Sequence, residues 1–132
     1  MSVWVVFVGS GLGGLARWWL AGWIGGKTGP AFPWGTLVVN VTGSLLIGFF
    51  AGLTAPEARF AAPVWVRQLV MVGFFGGYTT FSAFSYQTLE LAHLGQWGKA
   101  GANVVLSVVL SLAAVALGHA LAGPLASPRS PA

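Results

Sequence analysis

Thr79 and Thr80 follow two adjacent glycines, Gly76 and Gly77, and are followed in turn by Phe81, Ser82 and Phe84. No acid, thiol or imidazole stands among them. Their hydroxyls can donate hydrogen bonds, and the edge of a phenyl ring is positive in its quadrupole, so the set suits a small anion better than a cation. Two further sets carry related chemistry. Thr36, Asn40 and Ser44 recur at four-residue intervals, and Asn103, Ser107 and Ser111 repeat that spacing. On a helix each set forms one polar stripe on an otherwise apolar surface. A lone asparagine in a membrane helix more often bonds a neighbouring helix. Three spaced polar groups favour a water- or ion-lined wall.

Enzyme chemistry fails early. The acids are Glu57 and Glu90, which lie at or beyond the ends of the apolar segments, as do His93 and His119. No Ser-His-Asp set, metal-ligand cluster or phosphate loop can be assembled from these residues. The glycines Gly9, Gly11 and Gly14 mimic a nucleotide fingerprint, but they lie in an apolar segment with no preceding strand and serve helix packing. There is no cysteine, which removes disulfides and thiolate sites.

The elements that must hold these residues are membrane helices. The chain has 132 residues, 56% hydrophobic and 6% charged, with twenty glycines and seven tryptophans. A water-soluble domain of this size could not hide so much apolar surface. The fold class expected is an all-α membrane protein with four transmembrane helices, at about 3–24, 34–53, 64–92 and 99–121. Residues 1–123 form one domain and 124–132 a disordered polar tail. The third segment is too long for one straight crossing of about 30 Å of hydrocarbon. A break near Gly76 resolves the excess, with Gly77 supplying unusual dihedrals. Such a break is tolerated only where the freed backbone groups are buried in protein or line a wet path. Arg17 lies near the end of the first span, where it either snorkels to the interface or faces inward to shape an anion entrance.

The formal net charge of +4 comes from basic residues scattered between the spans, so they read as interfacial anchors and nucleic acid is excluded as a partner. Arg59, Arg67 and Arg129 fall on one side of the membrane, and Lys27, Lys99 and a snorkelling Arg17 on the other. This balance leaves orientation unset. Four short helices also enclose little volume, and an antiparallel homodimer of dual topology satisfies both facts. A small multidrug exporter shares that architecture but needs a buried carboxylate in its first span, where this chain has Arg17. A non-transporting helical scaffold would explain the glycines but not the polar stripes.

GGYTTFSAFS at 76–85, PWGTLVVNVTGS upstream and GLGGLARW in the first span together resemble the Fluc (CrcB) family of bacterial fluoride channels. The resemblance spans about Gly11 to Ser111 and rests on three motifs in order. It implies a multi-pass protein of the bacterial inner membrane that exports fluoride passively and so limits its toxicity. It also implies an antiparallel dimer with two pores, and a central, non-conducted sodium ion. The pore asparagine falls on Asn40 and the paired phenylalanines on Phe81 and Phe84, with Thr80 and Ser82 beside them. The fourth-span track falls on Asn103, Ser107 and Ser111, and the first-span arginine on Arg17. The backbone carbonyls of Gly76 and Thr79 fall where the family holds sodium. Two departures stand out: Gln87 replaces a carboxylate common in relatives, and Asn103 a frequent tyrosine.

Overall fold

The computed structural model describes residues 2–127, and they form an all-helical protein. Helix α1 is Ser2–Thr28, α2 is Trp34–Leu53 and α3 is Val64–Arg67; a π-helical segment follows at Gln68–Phe75. Helix α4 is the single turn Gly76–Tyr78, α5 is Phe81–His93 and α6 is Trp97–Ala126. Among the described residues three helices are long and apolar enough to cross a membrane: Val3–Thr28, Trp34–Leu53 and Trp97–Ala126. The stretch from 64 to 93 is as apolar in its first half but is divided into shorter segments.

Local chemistry sets the ends. Gly29 adopts φ +75°, a left-handed conformation that side chains resist, and with Pro30 it ends α1. Gly95, at φ +72°, makes the turn between α5 and α6. Beyond Ile24, α1 continues to Thr28, whose hydroxyl donates to the Ile24 carbonyl at 3.0 Å. Lys27 lies 4.3 Å from the Trp23 ring centroid, a pairing suited to a membrane interface. At the far end of α2, Arg67 donates to the carbonyl and hydroxyl of Thr54 at 2.7 and 2.9 Å. A cation there also meets the negative end of the helix dipole.

Helix α6 runs through Pro124 to Ala126, residues expected in the tail. Proline removes one helical donor, but both the backbone N–H and the hydroxyl of Ser127 donate to the Gly123 carbonyl and close the turn. The Arg59 N–H also donates to the Ala126 carbonyl at 2.8 Å, tying the loop before α3 to this end. Arg129 and the rest of the expected tail lie outside the described residues.

Glycines let backbones touch in two places. A β-carbon added at Gly9 would lie 2.9 Å from the Gly73 Cα, and one at Gly13 would lie 2.8 Å from the Tyr78 nitrogen. One at Gly77 would strike the Ser10 carbonyl. These contacts join α1 to the 68–78 stretch. Gly48 and Gly118 do the same between α2 and α6, and Gly52 lies against the Ala122 and His119 side chains. Between the two seams, Val39, Phe75 and Tyr78 form a small buried core. The outer surface is greasy throughout, with Trp4, Phe7, Trp18 and Trp19 exposed on α1, as a bilayer permits.

Candidate functional site

The backbone changes course at two threonines. Helix α4 ends at Tyr78, Thr79 and Thr80 are extended, and α5 begins at Phe81. Gly76 and Gly77 are themselves helical, and neither has a positive φ. The expectation of unusual dihedrals at Gly77 is therefore corrected: glycine is required there because Ser10 of α1 leaves no room for a side chain.

Thr80 starts α5 as its N-cap, accepting from the Ala83 N–H at 3.2 Å. Asn40 then grips Thr80 by its backbone. Its amide nitrogen donates to the Thr80 carbonyl at 3.0 Å, and its amide oxygen accepts from the Thr80 N–H at 2.8 Å. These two bonds satisfy backbone groups that the extended residue would otherwise leave unpaired in an apolar interior. One amide hydrogen of Asn40 remains beyond this pair.

Around the clamp is a cavity of about 360 Å³, lined on its polar side by Asn40, Ser44, Thr79, Thr80, Ser107 and Ser111. Apolar walls come from Ile47 and Phe75, and from Val108 and Leu112 of α6. Phe81 and Phe84 close one side, with ring centroids 5.2 Å apart and planes inclined at 52°. Phe84 is buried, whereas Phe81 is 76% exposed at the cavity's outer edge. No lining residue is ionisable. The walls offer amide and hydroxyl donors and ring edges to an occupant, and no buried carboxylate to repel an anion.

The remaining expected residues are distributed unevenly. Ser82 is exposed, and its hydroxyl lies 3.2 Å from that of Thr80. Asn103 is only 1% exposed and is absent from the cavity lining. It stands behind Ser107, accepting from the Ser107 hydroxyl at 3.4 Å and donating to Thr88 Oγ1 at 2.8 Å. Arg17 is half-buried on α1, away from the cavity. Gly76 lies outside the lining, whereas Thr79 contributes to it.

Three contributors were not expected as site residues, although two of them, Tyr78 and Thr42, lie inside the motifs. Thr88 lies one turn past Phe84, whose carbonyl it bonds at 2.7 Å. Tyr78 and Thr42 pair through their hydroxyls at 2.9 Å beneath the two extended threonines. Only the four-residue spacing of Phe84 and Thr88 could have hinted at the first. A second cavity, of about 360 Å³, lies one turn farther along α2 and α5, where Thr36, Gln87 and Glu90 contribute to its walls. Gln87 Oε1 is buried there and has no hydrogen-bond partner among the described residues.

The chain matches the family described as CrcB-like protein, Camphor Resistance (CrcB), over residues 4–119. A protein of Methylocella silvestris named fluoride-specific ion channel FluC is 52% identical over 117 residues, covering 89% of each chain. Proteins of the same name from Opitutus terrae and Rhodospirillum rubrum are 55% and 56% identical, over 86% and 90% of this chain and 86% and 92% of theirs. These relatives are channels and not enzymes. With a match across nearly the whole helical region and relatives more than half identical to it, this multi-pass membrane chain belongs to the CrcB-like family.

Proposed function

We propose that the chain is one subunit of a fluoride-selective channel that lets fluoride leave the cytoplasm passively and so limits its toxicity. The observation that carries this reading is a cavity walled by an amide, hydroxyls and phenyl edges without an ionisable group. Fluoride is small and strongly hydrated, so short hydrogen bonds and ring edges must take over from its water as it enters. Passive export is useful because acid outside the cell carries neutral HF inward, where it releases fluoride in the more alkaline cytoplasm. The relatives' names point to the same ion.

The cavity opens at the surface of the single chain. Phe81 projects at its edge, Val108 and Leu112 of its wall are exposed, and Val104, Val105 and Val109 are further exposed residues of α6. An antiparallel homodimer in the bacterial inner membrane would cover this face and supply two pores. In that assembly residues 64–93 cross the bilayer as one interrupted span. Two lysines added within Gly25–Pro33 should then bias insertion and abolish flux, and a variant biased the other way should restore it on co-expression. Full flux from one forced orientation would sink the antiparallel dimer.

A structural sodium ion fits the donors at the interruption. Thr80, which would close the helical bond to the Gly76 carbonyl, gives its N–H to Asn40 instead. Thr79 is extended, so its carbonyl also leaves the helical pattern. These neutral, hard oxygens suit a hard monovalent cation better than a transition metal. Such an ion would supply fixed positive charge beside the anion path. Gly76 and Thr79 would hold it through backbone atoms, with Asn40 keeping the Gly76 carbonyl free of its helical donor.

Efflux of fluoride and chloride from proteoliposomes tests the function. Selective fluoride loss is expected, and equal flux of the two ions would overturn the proposal. Replacing sodium on both membrane faces with a large organic cation should lower fluoride flux; undiminished flux after long exchange leaves the sodium site unsupported.

A further inference from the structure

Behind the cavity wall runs a directed chain of hydrogen bonds that neither the motifs nor the family description assigns. Thr88 Oγ1 donates its single proton to the Phe84 carbonyl at 2.7 Å. The same oxygen can then only accept, and it accepts from Asn103 Nδ2 at 2.8 Å. This fixes which way the Asn103 amide faces: nitrogen toward α5, oxygen toward Ser107. Ser107 Oγ in turn lies 3.4 Å from Asn103 Oδ1, at the long limit of a hydrogen bond. Asn103 is 1% exposed, so its amide hydrogens have no solvent to turn to.

We infer that Thr88 is a positioning residue for the anion path, acting through Asn103 on the hydroxyl of Ser107; this rests on the channel reading above. Ser107 lines the cavity and has one proton to give. With the amide oxygen of Asn103 behind it, that proton has a weak inward acceptor, lost at little cost when an anion arrives and regained when it leaves. Thr88 does not line the cavity. It holds the amide in the orientation that makes Ser107 a reversible donor.

If the amide turned over, its N–H would point at Ser107 Oγ and drive the serine proton permanently into the cavity. Ser107 would then hold an anion more tightly and release it more slowly. Conduction needs sites that are favourable enough to enter and weak enough to leave. Removing the Thr88 hydroxyl takes away the acceptor that prevents this turn. A merely structural Thr88 would change how much protein assembles but not how flux depends on fluoride concentration.

The test is fluoride flux from proteoliposomes across a concentration series, normalised to assembled protein. Thr88→Val keeps the branched shape and deletes the hydroxyl. It should lower both the half-saturating fluoride concentration and the maximal flux, the former by about threefold or more. Thr88→Ser should restore both values. In a Ser107→Ala background, Thr88→Val should no longer shift the half-saturating concentration, since the coupling runs through that hydroxyl. An unchanged half-saturating concentration in Thr88→Val, or a shift that persists without Ser107, overturns the inference. Thr88→Ala deletes the same hydroxyl with less bulk. If neither it nor Thr88→Val assembles while Thr88→Ser does, the hydroxyl serves the fold and the positioning role is wrong. A parent protein that conducts no fluoride would instead sink the channel reading itself.

Discussion

The two sides of the 68–84 stretch are built on opposite rules. Toward α1, Gly9, Gly13 and Gly77 bring backbone against backbone so closely that an added β-carbon would overlap it, and one at Gly73 would press on the Gly9 backbone. Toward α2 and α6, the same stretch meets Asn40, Ser44, Ser107 and Ser111 across a cavity of about 360 Å³. Small residues let helices close without a gap, whereas polar side chains that reach across a gap keep it open and give it chemistry. Glycine therefore anchors one side of the chain so that the other can afford a cavity beside an interrupted backbone.

The largest effect should come from forcing the tight seam apart. Gly77→Val places atoms where the Ser10 backbone lies, and overpacking of this kind typically costs about 1–3 kcal/mol, more when only backbone can yield. Little monodisperse protein should survive extraction in detergent. Gly11→Val is the matched control, since nothing lies within 4 Å of the position and its melting temperature should stay near the parent's. If both variants behave alike, the close approach is not what holds α1 in place.

On the cavity side, Asn40→Leu removes both bonds to Thr80. Each group left unpaired in an apolar site costs about 1–3 kcal/mol. Fluoride flux should fall to background, and thermal stability should drop by less than in Gly77→Val. Parent-like flux would show that the clamp is dispensable.

The paired rings should separate packing from conduction. Isoleucine keeps bulk but has no positive ring edge. Phe84→Ile and Phe81→Ile should both lower fluoride flux. Only the buried Phe84 should also lose stability, by about 1–2 kcal/mol, because Phe81 is 76% exposed in the single chain. If both variants conduct like the parent, the rings are packing and the aromatic-edge argument fails.

The smallest effect on flux should come from Arg67→Met, which does not line the cavity. It removes two bonds to Thr54 at the end of α2, worth about 1–3 kcal/mol together. Melting temperature should fall while fluoride flux per assembled protein stays within error. A selective loss of flux would place Arg67 in the conduction path.

Much of this protein is legible in its residues because a bilayer imposes a simple demand. Apolar runs expected at about 3–24, 34–53 and 99–121 reappear as the helices 3–28, 34–53 and 97–126, whereas the run expected at 64–92 is divided into shorter segments, and the chain contains too few charges to be anything but a membrane protein. The absence of buried acids and the four-residue spacing of Asn40 with Ser44, and of Ser107 with Ser111, already indicate an uncharged donor wall. What spacing could not say is which member of a stripe faces the gap. Thr36, Asn40 and Ser44 look equivalent along α2, yet Thr36 faces a second cavity, Asn40 grips a backbone, and Ser44 lines the wall. Asn103 shares the four-residue stripe with Ser107 but stands behind it, bonded to a threonine fifteen residues earlier in the chain. Gly77 reads as a hinge and proves to be a contact with Ser10. Helix formation and membrane insertion depend on local composition, which a sequence states directly. The partner of a polar group in a dry interior depends on which helices meet at that depth, and only the tertiary packing decides that.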